Sequence, residues 1–260
     1  MDADLISTIS ALRFLGVPVE SHATLGSTND EAFRRAREGA PEGLVVTAEH
    51  QTAGRGRLGR SWFDGAGRSL MFSALLRPTI PLPSYPLFAL ALASAVSDAG
   101  GELVGRPLVV KWPNDVLYDG KKVCGVLAES RSLSPGEPPA LVLGAGVNVN
   151  LLEEDFPPEF RARATSLRIA AEGREVPIAS LLAGILSRFE RDLEAARGAD
   201  PAALFARVRP RLPERGARVR VAVVDRVVEG ELLDVTPTGA LEVRDTATGR
   251  VETLAAGVME

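Results

Sequence analysis

Up to Pro210 this sequence alternates strand-length apolar runs with helical repeats; from Ala217 it holds only short alternating strands separated by turns. One regular layer cannot serve both rhythms. The chain is therefore expected to form an α+β body followed by a small antiparallel β-barrel. The segment PRLPERG (210–216) is the natural joint, which places the two parts at 1–212 and 213–260.

Within the larger part, Leu5, Ile9, Leu12 and Phe14 space a short amphipathic helix over 4–15. Strands are expected at 17–24, 44–50, 69–78, 107–112 and 140–150. Thr28 followed by Glu31 fits a capping box, with the helix ending at Gly39. Leu82 to Ala99 reads as a buried helix, and Pro177 to about Ala196 as an amphipathic one. VLYDGKKVCGVLAES reads as a hairpin turning at Asp119-Gly120. Strict alternation from that turn puts Lys122 and Cys124 on one face, with Lys121 and Val123 on the other. In the smaller part ARVRVAVV, RVVEGELLDV, ALEVRD and RVETLAA are the strands.

Composition narrows the function classes. A net charge of −4 argues against a surface built to coat nucleic acid or an anionic membrane, so a basic patch must be local. One cysteine, Cys124, excludes an intramolecular disulfide, and two histidines make a dedicated zinc site improbable. The N-terminus does not read as a signal peptide, and no segment is expected to have the apolar length of a membrane span. A cytoplasmic protein is the default expectation.

Five segments stand out chemically. In QTAGRGRLGRSW (51–62), Gly54, Gly56 and Gly59 alternate with Arg55, Arg57 and Arg60. Its literal GxGxxG is not a dinucleotide fingerprint, because no helix or following acidic strand accompanies it. Glycines allow close approach of backbone to an anion, and arginines offer forked donors, so the loop reads as an anion trap. The alternative is a solvated loop whose arginines pair with nearby acids. In KWPND (111–115), Asn114 and Asp115 are expected at a tight turn after a strand. GKKVCG (120–125) is not a Walker loop; its Lys122, if turned inward, requires an anion. Ser27, Thr28 and Asn29 open a helix, where free N–H groups and small polar side chains suit a neutral polar ligand or simple capping. In GAGVNVN (144–150), strand glycines suggest close approach, and Asn148 is either a ligand contact or a satisfied core amide.

In this order the five segments resemble the biotin–protein ligases, which carry STN, QxxGRGRxGRxW, KWPND, GxKxxG and GxGxN ahead of a small SH3-like C-terminal barrel. The resemblance spans roughly residues 20–260. It implies a mixed-sheet catalytic domain of the biotin/lipoate ligase type with helices packed on it. It further implies that biotin reacts with ATP to give biotinyl-AMP, and that biotin then passes to a lysine of a biotin carboxyl carrier domain, that of acetyl-CoA carboxylase first. Magnesium is expected with the ATP, though no ligands for it are assigned. Ser27, Thr28, Asn29 and Gln51 would meet the biotin end, bordered by Gly56 and Gly125. Lys122 would lie between the biotin carboxylate and the α-phosphate. Arg55 and Arg57 would hold carboxylate and phosphates. Arg60, Trp62, Lys111, Asn114 and Asn148 would serve the nucleotide. Catalytic roles fall to Lys122, Arg57 and Asp115, the last as an orienter of the incoming lysine or an aid to metal binding.

Ser27 comes too early for the winged-helix domain that some family members carry, so no operator binding is expected. A homodimer is left open. The competing readings are a lipoate or octanoate transferase on the same fold, a non-catalytic biotin or nucleotide sensor, and, more remotely, a nucleic-acid module.

Overall fold

The computed structural model describes residues 12–65, 67–195, 200–223 and 225–259. The helix expected over 4–15 lies largely outside them; of its residues, 12–15 are described and are not helical.

Seven strands form the main sheet: β1 (Val19–Leu25), β2 (Val45–Gln51), β3 (Ser69–Leu76), β4 (Val109–Lys111), β5 (Asp115–Tyr118), β6 (Lys121–Arg131) and β7 (Ala140–Asn148). Their order is β1-β2-β3-β7-β6-β5-β4. β1 and β2 run parallel and the remaining neighbours antiparallel, which makes the sheet mixed, as expected. Among the described residues six α-helices accompany it: α1 (Thr28–Arg37), α2 (Pro86–Val104), α3 (Pro158–Arg161), α4 (Leu167–Ala170), α5 (Ile178–Ala195) and α6 (Pro201–Val208). The sequence reading left α3, α4 and α6 unassigned. The first two span one turn each, too short for a periodic signal.

α1 packs on one face and α2 with α5 on the other, and β3 between them is buried at every residue. Leu70, Phe72, Ala74 and Leu76 of β3 join the large core under α2 and α5. Leu75 joins Ala32, Phe33 and Ala36 of α1 on the other face. Ser73 belongs to this α1 face, where it reaches Thr28 and Asn29. The same alternation on β7 sends Leu143, Ala145 and Val147 to the large core and leaves Gly144, Gly146 and Asn148 facing a cleft.

Three local expectations are corrected. First, no capping box forms: Ser27 is the N-cap residue of α1, and Gln51 Oε1 accepts the Thr28 N–H at 2.7 Å. Second, Lys122 and Cys124 do not share a face. The β5–β6 register shifts between Val116 and Leu117, which pair with Cys124 and Lys122. That bulge spends Val123 without a partner of its own, so Val123 and Cys124 both enter the core while Lys122 and Gly125 line the cleft. Burial raises the Cys124 thiol pKa. Third, the stretch Leu82–Val104 does meet the length and apolarity of a membrane span, with 78% of its apolar 18-residue window buried inside the fold. It contains α2, the core helix against which α5 and β6 pack.

A second sheet holds β8 (Arg218–Ala222), β9 (Val227–Val235), β10 (Leu241–Asp245), β11 (Val251–Leu254) and β12 (Val258–Met259), all antiparallel in the order β11-β10-β9-β8-β12. Its two-residue closing strand β12 was not anticipated. This sheet meets the main body through Trp112, 1% exposed, whose Nε1 donates to the Gly239 carbonyl at 2.8 Å. Truncating a tryptophan so buried typically costs about 3–5 kcal/mol.

Candidate active site

The cleft of about 760 Å³ opens on the α1 face of the main sheet, between the N-terminus of α1 and the strand β12. Ser27, Thr28, Asn29, Gln51, Arg55, Gly56, Arg57, Arg60, Trp62, Lys111, Asn114, Asp115, Lys122, Gly125 and Asn148, the residues the resemblance assigns to the site, all line it, whereas Gly54 and Gly59 of the same loop do not.

One end is neutral and pre-ordered. Thr28 Oγ1 donates to Gln51 Oε1 at 3.1 Å. Ser73 Oγ, with one proton to give, lies 2.7 Å from Thr28 Oγ1 and 2.6 Å from Asn29 Oδ1. Asn29 Nδ2 donates to Glu129 Oε2 at 2.7 Å. Thr28, Asn29 and Ser73 are buried and Gln51 and Glu129 half-buried, so the network holds donors and acceptors in fixed places. Gly144 makes it possible: a Cβ there would stand 2.2 Å from Asn29 Oδ1.

The glycine–arginine segment is more ordered than a loop. Gly56 N–H donates to Arg60 O at 2.7 Å and Trp62 N–H to Gly54 O at 3.0 Å, giving a small hairpin whose tip is the turn Arg57–Gly59. Leu58 at that tip has φ 57 and is 72% exposed. A leucine in the left-handed region is strained, and such strain concentrates where a segment changes conformation. Asp64 anchors the hairpin's base by accepting from the Gln51 N–H at 2.6 Å.

The arginines divide. Arg55 pairs with Asp30 at 2.5 Å and with Glu129 at 3.4 Å, as the reading of loop arginines paired with nearby acids requires. The Asp30 carboxyl is held below its usual range, first by its hydrogen bonds from Arg55. Arg57 is half-buried; it donates to Asn114 Oδ1 at 2.8 Å and to the Gly257 carbonyl at 2.9 Å. Burial lowers the pKa of its guanidinium, partly offset by Asp115.

Lys122 Nζ lies 2.7 Å from Asp115 Oδ1 and 5.7 Å from the centre of the Trp62 ring. Asp115 is the first residue of β5 rather than part of the turn, whereas Asn114 sits in the turn with its N–H on Lys111 O. Trp62 lies against Gly146, where a Cβ would be 2.3 Å from the ring, and its buried Nε1 has no partner. Asn148 Nδ2 donates to the Thr165 carbonyl at 3.0 Å, so at least one of its donors is structural.

Arg163, Phe156, Phe160, Val258 and Met259 also line the cleft and were missed. Nothing in their local sequence marks them, because each arrives from a distant element. The cleft thus gathers Arg55, Arg57, Arg60, Lys111, Lys122 and Arg163 against one carboxylate, Asp115, in a chain of net charge −4. It is suited to an anion at one end and a neutral polar group at the other.

Residues 23–148 match the biotin/lipoate A/B protein ligase family. The chain is 39% identical over 211 residues to a biotin–[acetyl-CoA-carboxylase] ligase of Mycobacterium tuberculosis, covering 76% of this chain and 72% of that one. The chain belongs to this family. As a family member it is also 41% identical over 170 residues to the bifunctional ligase/repressor BirA of Bacillus subtilis, covering 65% of this chain and 52% of that protein. It spans about half the length of the first curated ligase relatives it matches. Among solved structures, the biotin protein ligase of Aquifex aeolicus in complex with biotin and ATP superposes with a TM-score of 0.75 at 27% identity, covering 93% of this chain and 97% of that one. The mixed seven-stranded sheet with a five-stranded antiparallel sheet after it is therefore the ligase fold, its second sheet of the SH3-like kind.

Proposed function

We propose that this chain activates biotin with ATP to biotinyl-AMP and transfers biotin to a lysine of a biotin carboxyl carrier domain, that of acetyl-CoA carboxylase first. The observation that carries the reading is the meeting, in one cleft, of a neutral hydrogen-bonding end with a cluster of cations. A ureido ring has a carbonyl to receive and N–H groups to give, which suits Ser27, Thr28, Asn29 and Gln51. A carboxylate and a triphosphate suit the cations.

In the first step a biotin carboxylate oxygen attacks the α-phosphorus, and the bond to the β-phosphate oxygen breaks, releasing pyrophosphate. Lys122 stabilises the negative charge shared between carboxylate and α-phosphate. Arg55 exchanges Asp30 for the ligand, and Arg57 closes over the phosphates, with Arg60, Trp62, Lys111, Asn114 and Asn148 bordering the nucleotide. Gly56 and Gly125 let backbone and ligand approach. In the second step the carrier amine attacks the acyl carbon, the bond to the phosphate oxygen breaks, and AMP leaves. Asp115, set against Lys122, orients that amine. The donor set fits a magnesium ion arriving with ATP, since one carboxylate plus phosphates is its usual coordination; it would neutralise phosphate charge beside Asp115. The division into a catalytic part (1–212) and a C-terminal barrel (213–260), and a cytoplasmic setting without nucleic-acid or membrane partners, belong to the same reading.

Purified protein with ATP, magnesium and radiolabelled biotin, with and without a carrier domain, tests it. Biotinyl-AMP that converts to labelled carrier supports both steps. Tight biotin binding without adenylate favours the sensor. No biotin binding, with transfer of a lipoyl group instead, sinks the reading.

A further inference from the structure

On β6 the bulge that turns Lys122 into the cleft also sets everything after it. Gly125, Leu127, Glu129 and Arg131 follow on the α1 face, while Cys124 and Val126 enter the core. Glu129 thereby arrives under α1, beyond the cleft lining, as a partly buried carboxylate with 26% of its side chain exposed. Its Oε2 accepts from Asn29 Nδ2 at 2.7 Å and lies 3.4 Å from Arg55 Nη2. Its Oε1 lies 3.4 Å from Arg131 Nη2, which also reaches Asp30 at 3.2 Å.

This arrangement decides which way the Asn29 amide points. A carboxylate only accepts, so it admits the amide nitrogen and repels the amide oxygen. Ser73 supplies a proton to the oxygen on the other side. One N–H and one lone pair of the amide are then left for a ligand, in fixed positions. That pairing matches a cyclic urea, which offers a carbonyl and an N–H together, and offers nothing to a dithiolane ring.

We propose that Glu129 is a positioning residue, acting through Asn29 to orient the amide that reads the ureido end of biotin and thereby selecting biotin over a lipoyl group. The inference rests on the biotin-ligase reading. Its energetic scale follows from the bond it controls: a hydrogen bond to a charged group contributes enough that its loss weakens binding about 10–100-fold.

The test is biotin affinity by calorimetry on the full chain, without ATP, for wild type, E129A, E129Q, N29A and the N29A/E129A double variant. E129A is expected to raise the biotin Kd about 10-fold or more while ATP affinity changes little, beside a fall in melting temperature of about 3–10 °C from the lost Asn29 bond. E129Q, whose amide oxygen still accepts from Asn29 Nδ2, is expected to recover most of that loss. In the N29A background, removing Glu129 is expected to cost nothing further, as two residues acting through one another require. An unchanged Kd in E129A overturns the proposal. So does E129Q as weak as E129A, equal weakening of ATP, or a full additional loss in the double variant. Wild type that fails to bind biotin overturns the ligase reading and the inference with it, whereas wild type that binds while E129A is unaffected overturns the inference alone.

Discussion

Gly144→Ala asks whether the neutral end of the cleft is as tightly built as it looks. The new Cβ would stand 2.2 Å from Asn29 Oδ1, where ordinary contact begins at 3.4 Å, so the amide must retreat by about 1.2 Å. Asn29 is 3% exposed and held on two sides by Ser73 and Glu129, so it can retreat only by giving up those bonds. A shift of that size breaks the 2.6 Å bond from Ser73 and the 2.7 Å bond to Glu129. A neutral bond contributes about 1 kcal/mol and one to a carboxylate about 1.5–3, so the loss is about 2.5–4 kcal/mol if nothing relaxes. For a chain of this size that corresponds to a fall in Tm of about 5–15 °C. Gly146→Ala, two residues along the same strand face, is the control. Its Cβ would meet the Trp62 ring at 2.3 Å, but Trp62 stands at the base of a hairpin that can shift. That variant is expected to melt within about 2 °C of wild type while changing ATP affinity. Thermal scans and biotin calorimetry on both variants decide. Equal destabilisation by the two, or wild-type biotin affinity in Gly144→Ala, refutes the view that Asn29 is locked by its neighbours.

Three further outcomes follow from the geometry. Lys122→Ala is expected to slow adenylate formation about 10²–10³-fold, read by single-turnover pyrophosphate release; near wild-type turnover would remove Lys122 from the chemistry. Arg57→Gly cuts the links to Asn114 and to the Gly257 carbonyl, so adenylate is expected to escape about 10–100-fold faster, measured by filtration of preformed labelled adenylate, and retention equal to wild type would refute the closing role. Glu190, 6% exposed, accepts the N–H groups of Arg13, Phe14 and Leu15 at 2.9–3.1 Å; Glu190→Ala is expected to cost about 3 kcal/mol in urea unfolding, and a loss under about 1 kcal/mol would show that water replaces the carboxylate.

Most of the site was legible because its residues sit in short local patterns. The glycine–arginine alternation, the Pro-Asn-Asp turn and the strand glycines each declare a chemical need within a few positions, and all of them converge on one cleft. What escaped was whatever depends on long-range register. Glu129, Ser73 and Arg163 look like ordinary strand or loop residues until the sheet order brings them beside Asn29 and Lys122. The strand β12 is two residues long and carries no periodic signal, yet Val258 and Met259 wall the cleft and Gly257 holds Arg57.

Lys122 reaches the cleft by a geometry that counting from the turn does not give. Counting from the turn gives it the face of Cys124. The bulge at Val123 reverses the relation, sending Cys124 to the core and Lys122 to the cleft. A lysine on the core face would meet Val116 and Val126 with no anion, a position it would hold only by losing its proton. On the cleft face it finds Asp115 at 2.7 Å and the face of Trp62. Strict alternation would put Lys122 and Cys124 on one face; the bulge, by spending Val123 without a partner, is what lets the same strand give Cys124 to the core and Lys122 to the cleft.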